Sequence, residues 1–191
     1  MINRKSKPVF ENRLVYSNEF LQLFLSACAE FETIAKMICV AVDPGFDAES
    51  DHNIIINITK SILMNYPQIG QTKLRANQYE FMPLQKWSVE WYRDKKDNEM
   101  KEGIRGLDWW TKHNRLKHER FRCAKEANLE NCFYAMASLF VLELLLIRTN
   151  VDSLHFFLSR HPCTYFHCPE YEGKHYLLKP DSDLPGFQSK T

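Results

Sequence analysis

Glycine is scarce in this chain, six residues in 191. No Gly-rich phosphate loop, G-x-S-x-G elbow or His-Glu-x-x-His sequence occurs, which argues against a nucleotide cradle, an α/β-hydrolase nucleophile and a zincin site. An excess of charge is also missing. Lys and Arg number 25 against 24 Asp and Glu, a net charge of +1, so no global field draws the chain to nucleic acid or membrane and any basic patch must be local. The basic opening, Met1 to Pro8, has no apolar run behind it, so no signal peptide is expected. The most apolar stretch, Phe133 to Ile147, is shorter than a bilayer needs and holds Glu143, so it reads as a buried core helix with no membrane partner. Six cysteines, Cys28, Cys39, Cys123, Cys132, Cys163 and Cys168, do not make the dense framework of a small secreted domain. Four of them sit in apolar helical stretches, where cysteine behaves as a small hydrophobe. A reduced, cytoplasmic location is the expectation. Neither internal repeats nor low-complexity segments are present.

What is there is helical patterning. The length suits one domain, 1–150, with a C-terminal extension, 151–191. Ser17 is placed as an N-cap, and Phe20 to Val42 carries apolar residues at helical spacing up to the stop at Asp43-Pro44-Gly45. A second helix is expected from about Ala48 to Asn65, closed by Tyr66-Pro67. Gln68 to Met100 reads as an irregular segment packed by Trp87 and Trp91, and Asp94 to Glu102 as a charged connector. Leu107 to about Lys125 reads as a third helix, and Asn128 to Thr149 as a fourth, with Asn128 as cap and apolar residues nearly all round. Farther on, Thr164–Cys168 and His175–Lys179 flank a Gly-containing loop and suggest a small hairpin before a loose tail from Pro180. The expected fold is therefore mainly α, a helical bundle with a small C-terminal β-hairpin.

The third helix holds the chemistry. At spacings of three and four, Leu107, Trp110, Asn114, His118 and Phe121 form one stripe, which predicts that Asn114 and His118 point inward or into a cleft. One turn apart, the two can bond each other or a shared carboxylate, with Glu30 or Glu32 of the first helix available to raise and orient His118. Such an inward pair is more often a buried polar network that fixes helix register than a catalytic site. Lys112, Arg115, Lys117, Arg120 and Arg122 make a local cationic strip, either a solvated face or a surface for phosphates.

The run from Leu107 to Arg120, with Ala127-Asn128-Leu129-Glu130-Asn131 after it, resembles a family of uncharacterised bacterial proteins with a Trp-Trp…Asn-x-x-Lys-His-x-Arg signature. Tyr16-Ser17, Cys28-x-Glu30 and Pro83-Leu84-Gln85-Lys86-Trp87 also fit, and the resemblance spans roughly residues 10 to 150. That family is similar in turn to the HEPN superfamily of all-helical, often dimeric domains. Many of these are metal-independent ribonucleases of toxin–antitoxin or phage-defence systems, and others only bind nucleotides or proteins. The resemblance implies RNA as ligand, a homodimer or another protein as partner, no cofactor and no metal. The active pattern is Arg, a polar residue, three variable residues and His. Here Asn114 is the polar residue, His118 the histidine, and His113 stands where Arg is expected. His113 lacks the fixed, always-charged fork of arginine. Two readings follow. In one, RNA is bound or cleaved, with His118, Asn114 and His113 catalytic and Arg115, Lys117 and Arg120 on phosphates, in phage defence or stress response. In the other, the chain is a non-enzymatic interaction module whose Asn/His pair is structural.

His155, His161, Cys163, His167, Cys168 and His175 have metal-ligand side chains but no paired Cys-x-x-Cys spacing. On a strand, His167 and Cys168 would face opposite ways, so a metal site is not expected there.

Overall fold

A computed structural model of the chain describes residues 12–49, 54–77 and 79–149. Helices α1 (Asn18–Val42) and α2 (Ile54–Asn65) come first. Two hairpins follow, β1 (Leu74–Ala76) with β2 (Tyr79–Phe81), and β3 (Ser88–Arg93) with β4 (Met100–Arg105). Then come α3 (Asp108–His118), the single turn α4 (Arg120–Cys123), and α5 (Leu129–Thr149).

The capping residues read from sequence work as expected. Ser17 is extended, and its Oγ accepts the Phe20 N–H at 3.2 Å, satisfying one of the free donors at the start of α1. Asn128 does the same for α5, accepting the Asn131 N–H through Oδ1 at 3.0 Å. The remaining donors of α5 are met from far away in sequence. Leu129 N–H reaches the Val15 carbonyl and Glu130 N–H the Arg13 carbonyl, each at 3.0 Å, so the segment before α1 lies across the start of α5. The core forms mainly between α1 and α5. Phe24, Cys28, Phe31, Ala35 and Ile38 face Ala135, Ser138, Leu142 and their neighbours. α5 is also the one helix among the described residues long and apolar enough to cross a membrane, a longer apolar element than Phe133 to Ile147 alone. One side of it is buried against α1, and Glu143 is half-buried on it.

The mainly α bundle is corrected to a mixed fold. Both hairpins lie in the middle of the chain, in the stretch expected to be irregular. The charged residues read as a connector are a turn. Asp94 accepts the Lys96 N–H at 2.9 Å, Asp97 accepts the Glu99 N–H at 3.1 Å, and Asn98 takes a left-handed backbone at φ 61°. Lys101 then pairs with Asp94 at 2.8 Å and with Asp97, closing the turn onto β4. The β3–β4 register sets Val89 opposite Ile104 and Trp91 opposite Glu102, and Lys60 of α2 pairs with Glu102 at 2.6 Å. The long third helix is also corrected: it breaks at Glu119 (φ −133°, ψ 46°) and restarts as α4. The expected hairpin at 164–179, the extension 151–191 and its His/Cys cluster lie outside the described residues.

Gly106 joins β4 to α3 and sets where α3 begins. Its φ is +82°, and a Cβ there would stand 2.2 Å from the Lys86 carbonyl. Both the conformation and the close approach require glycine. Gly106→Ala is expected to destabilise the protein by more than about 1 kcal/mol, read as a lower midpoint in urea or thermal unfolding. An unchanged midpoint would show that the joint tolerates a side chain.

Candidate functional site

α3 is anchored by its two tryptophans. Trp109 meets Phe31 of α1 edge-on at 4.9 Å between ring centroids, and Trp110 lies 5.9 Å from the same ring. Both are buried, together with Leu107 and Leu116. On a helix, Trp109, His113 and Leu116 fall on one stripe, and it is this stripe that faces the core.

Of the two expectations for Asn114 and His118, inward or into a cleft, the inward one is corrected. Asn114 and His118 are exposed, and His113 is the buried residue, 1% accessible. The predicted stripe relied on Phe121 as a continuation of the helix. The break at Glu119 removes it, and Phe121 is wholly exposed. Without Phe121, Trp109 and Leu116 outweigh Leu107 in deciding which side turns inward.

His113 is enclosed by Phe24, edge-on at 6.2 Å, and by Trp110 at 5.1 Å, and its Nδ1 has no hydrogen-bond partner among the described residues. Burial pushes its pKa down from 6.5 to about 4. The nearby Lys117 charge adds to the shift and Glu32 opposes it. The imidazole is thus neutral at pH 7. It cannot stand in for a phosphate-binding arginine, and its enclosure keeps substrate away, so its sequence-predicted catalytic role is not kept. The orienting carboxylate is also corrected. Glu30 is exposed, and its charge acts on Glu143 of α5, whereas Glu32, ion-paired with Lys36 at 3.0 Å, is the carboxylate that acts on His113. Two residues apart on a helix, Glu30 and Glu32 face nearly opposite ways, so only one can reach α3.

Asn114 and His118 line an open groove of about 330 Å³. Ile55 of α2, Ile104 of β4 and Trp110 give it an apolar side. Thr111, Asn114, Arg115, His118 and Glu119 give it a polar one. Trp110 also carries a buried Nε1–H with no acceptor among the described residues. Sequence reasoning missed Glu119, Thr111, Ile55 and Ile104. Glu119 and Thr111 follow from the helix positions of Asn114 and His118 once the exposed side is known, but Ile55 and Ile104 arrive only by tertiary packing.

Between residues 112 and 126 the chain holds six cations, Lys112, Arg115, Lys117, Arg120, Arg122 and Lys125, against Glu119 and Glu126. Arg115 pairs with Glu126 at 3.0 Å, and Lys112 donates to Asn131 Oδ1 at 3.0 Å. Lys117, Arg120, Arg122 and Lys125 are exposed and make no ion pair among the described residues. This segment therefore carries a surplus of positive charge in a nearly neutral protein, and Arg115 is the cation of it that lines the groove. The four described cysteines are free and buried; burial pushes the Cys28 thiol up and Cys132 up to about 11, so neither is a thiolate nucleophile. Among the described residues no three His, Cys, Asp or Glu side chains cluster as a metal site. Comparison with known protein families, with curated proteins and with solved structures gives no match.

The state of His113 is open to test through pH. Its pKa is depressed in the folded protein, so the stability it contributes is complete above about pH 6.5 and is lost as pH falls toward 4. The loss is expected to be on the order of 3 kcal/mol, and His113→Leu should flatten that part of the stability profile. A slope between pH 6.5 and 4 that is the same in both proteins would contradict the burial of a neutral imidazole.

Proposed function

We propose that this chain binds RNA through the α3 groove. Asn114 and His118 contact a phosphodiester and its 2′-hydroxyl, while Arg115, Lys117 and Arg120 neutralise phosphates. The observation that carries the reading is the side of α3 that faces out: Asn114 and His118, one turn apart, share an open groove with Arg115 inside a local surplus of cations. The resemblance to HEPN proteins supports RNA as the polyanion. The all-helical fold of that superfamily is not part of the proposal.

Cleavage is the second reading, favoured by Glu119 and His118 in the same groove. As the 2′-oxygen bonds to phosphorus, one group takes its proton. As the 5′-oxygen leaves, the other group supplies one. The products are a 2′,3′-cyclic phosphate and a 5′-hydroxyl end. Asn114 and Arg115 would hold the non-bridging oxygens as charge builds on them.

Fluorescence anisotropy with a labelled RNA oligonucleotide tests binding. Affinity should fall steeply with salt, and Arg115→Ala and Arg120→Ala should each lower the slope of log affinity against log salt by about 1. If the RNA is cut, His118→Ala should stop the cutting while most of the affinity remains. No binding at low salt would remove the RNA reading and leave the non-enzymatic interaction module in its place.

A further inference from the structure

The most exposed large apolar side chain among the described residues is Phe121, with its ring entirely in solvent. The local geometry explains why. α4 is one turn long, and Cys123 is its only buried residue. Two positions before Cys123 on a helix is nearly the opposite side, so anchoring the cysteine turns the phenylalanine outward. Leaving the ring in water forgoes the free energy of burying it. Its neighbours are cations. Arg120 and Arg122 flank it and Lys117 and Lys125 lie four positions away on either side, all exposed and without an ion pair among the described residues. Glu119, two residues before Phe121, lines the groove that holds His118.

We infer that Phe121 is a stacking platform for one unpaired base, so that the RNA taken by this site is single-stranded. This rests on the RNA reading of the α3 groove. An exposed aromatic ring accepts the face of any base, and the flanking arginines meet the phosphates on either side of it. A base inside a duplex already has both faces covered, so a helix cannot use this platform. The strand then runs from Phe121 past Glu119 into the groove that holds Asn114 and His118. Lipid is the other polyanion that attracts cations around an aromatic ring. Insertion into a bilayer surface uses a broad apolar face, however, and from 117 to 125 the only other apolar side chains are the buried Cys123 and the small Ala124.

The experiment compares the full chain with Phe121→Ala and Phe121→Trp against three probes: an RNA oligonucleotide, the same oligonucleotide paired with its complement, and vesicles containing an anionic phospholipid. Because the ring is wholly exposed, both variants should melt with the native protein. The native protein should prefer the single strand. Phe121→Ala should weaken single-strand binding by roughly tenfold or more and leave duplex binding unchanged, and Phe121→Trp should keep or raise the single-strand affinity. Equal binding of single strand and duplex, or single-strand binding unaffected by Phe121→Ala, overturns the stacking inference while the RNA reading stands. Failure of the native protein to bind either RNA overturns both. A Phe121→Ala defect confined to the vesicles assigns the ring to lipid and overturns the inference.

Discussion

Phe31 is the contact on which the arrangement depends. It is fully buried on α1 and touches three tryptophans: Trp87 just before β3, and Trp109 and Trp110 at the start of α3. Trp87 in turn donates through Nε1 to the Thr59 hydroxyl of α2 at 3.0 Å. One aromatic ring thus ties together α1, α2, the second hairpin and α3. Large aromatic groups dominate burial energy, and edge-on pairs add to it. Because Trp109 and Trp110 are consecutive and both must reach this cluster, α3 has little freedom to rotate about its axis. Its rotation decides everything that follows on its surface.

The consequence is a division of labour between adjacent residues. His113 goes inward and stays neutral, and its Nδ1 has no hydrogen-bond partner among the described residues. A polar group in that position destabilises the core. In return, Asn114 and His118 come to the outside beside Arg115, at the junction with α2 and β4. The break at Glu119 completes the surface by turning the next basic segment, with Phe121 at its tip, away from the core. Folding energy and surface chemistry are therefore separated along α3. The tryptophans hold the helix, and the polar residues of the other side stay exposed.

Much of the helical frame is legible in the sequence because its signals are local. Ser17 and Asp43-Pro44-Gly45 bound α1, Tyr66-Pro67 closes α2, and Asn128 starts α5. The hairpins are not legible for an equally physical reason. β1 and β2 have three residues each, and the turn between β3 and β4 is built from Asp94, Asp97, Asn98 and Lys101, whose pairing to one another is invisible until the chain folds back. The site is legible by identity but not by direction. Asn114, His118 and Arg115 are found from their spacing and from the resemblance. Which side of α3 they occupy is ambiguous, because Trp110 sits at the edge of two possible stripes. The contact with Phe31 and the break at Glu119 decide between them, and nothing within the helix announces either one.

The central claim is that α3 turns His113 inward and offers Asn114, Arg115 and His118 to RNA. Nuclear magnetic resonance of the labelled protein, titrated with a single-stranded RNA oligonucleotide, tests it most directly. The account predicts that amide and ring signals of Asn114, Arg115, His118 and Phe121 move together on addition of RNA, while the His113 ring neither moves nor takes up a proton at pH 6. A His113 ring that is protonated at that pH, or RNA-induced shifts centred on the β3–β4 hairpin or on residues 12–16, would contradict it.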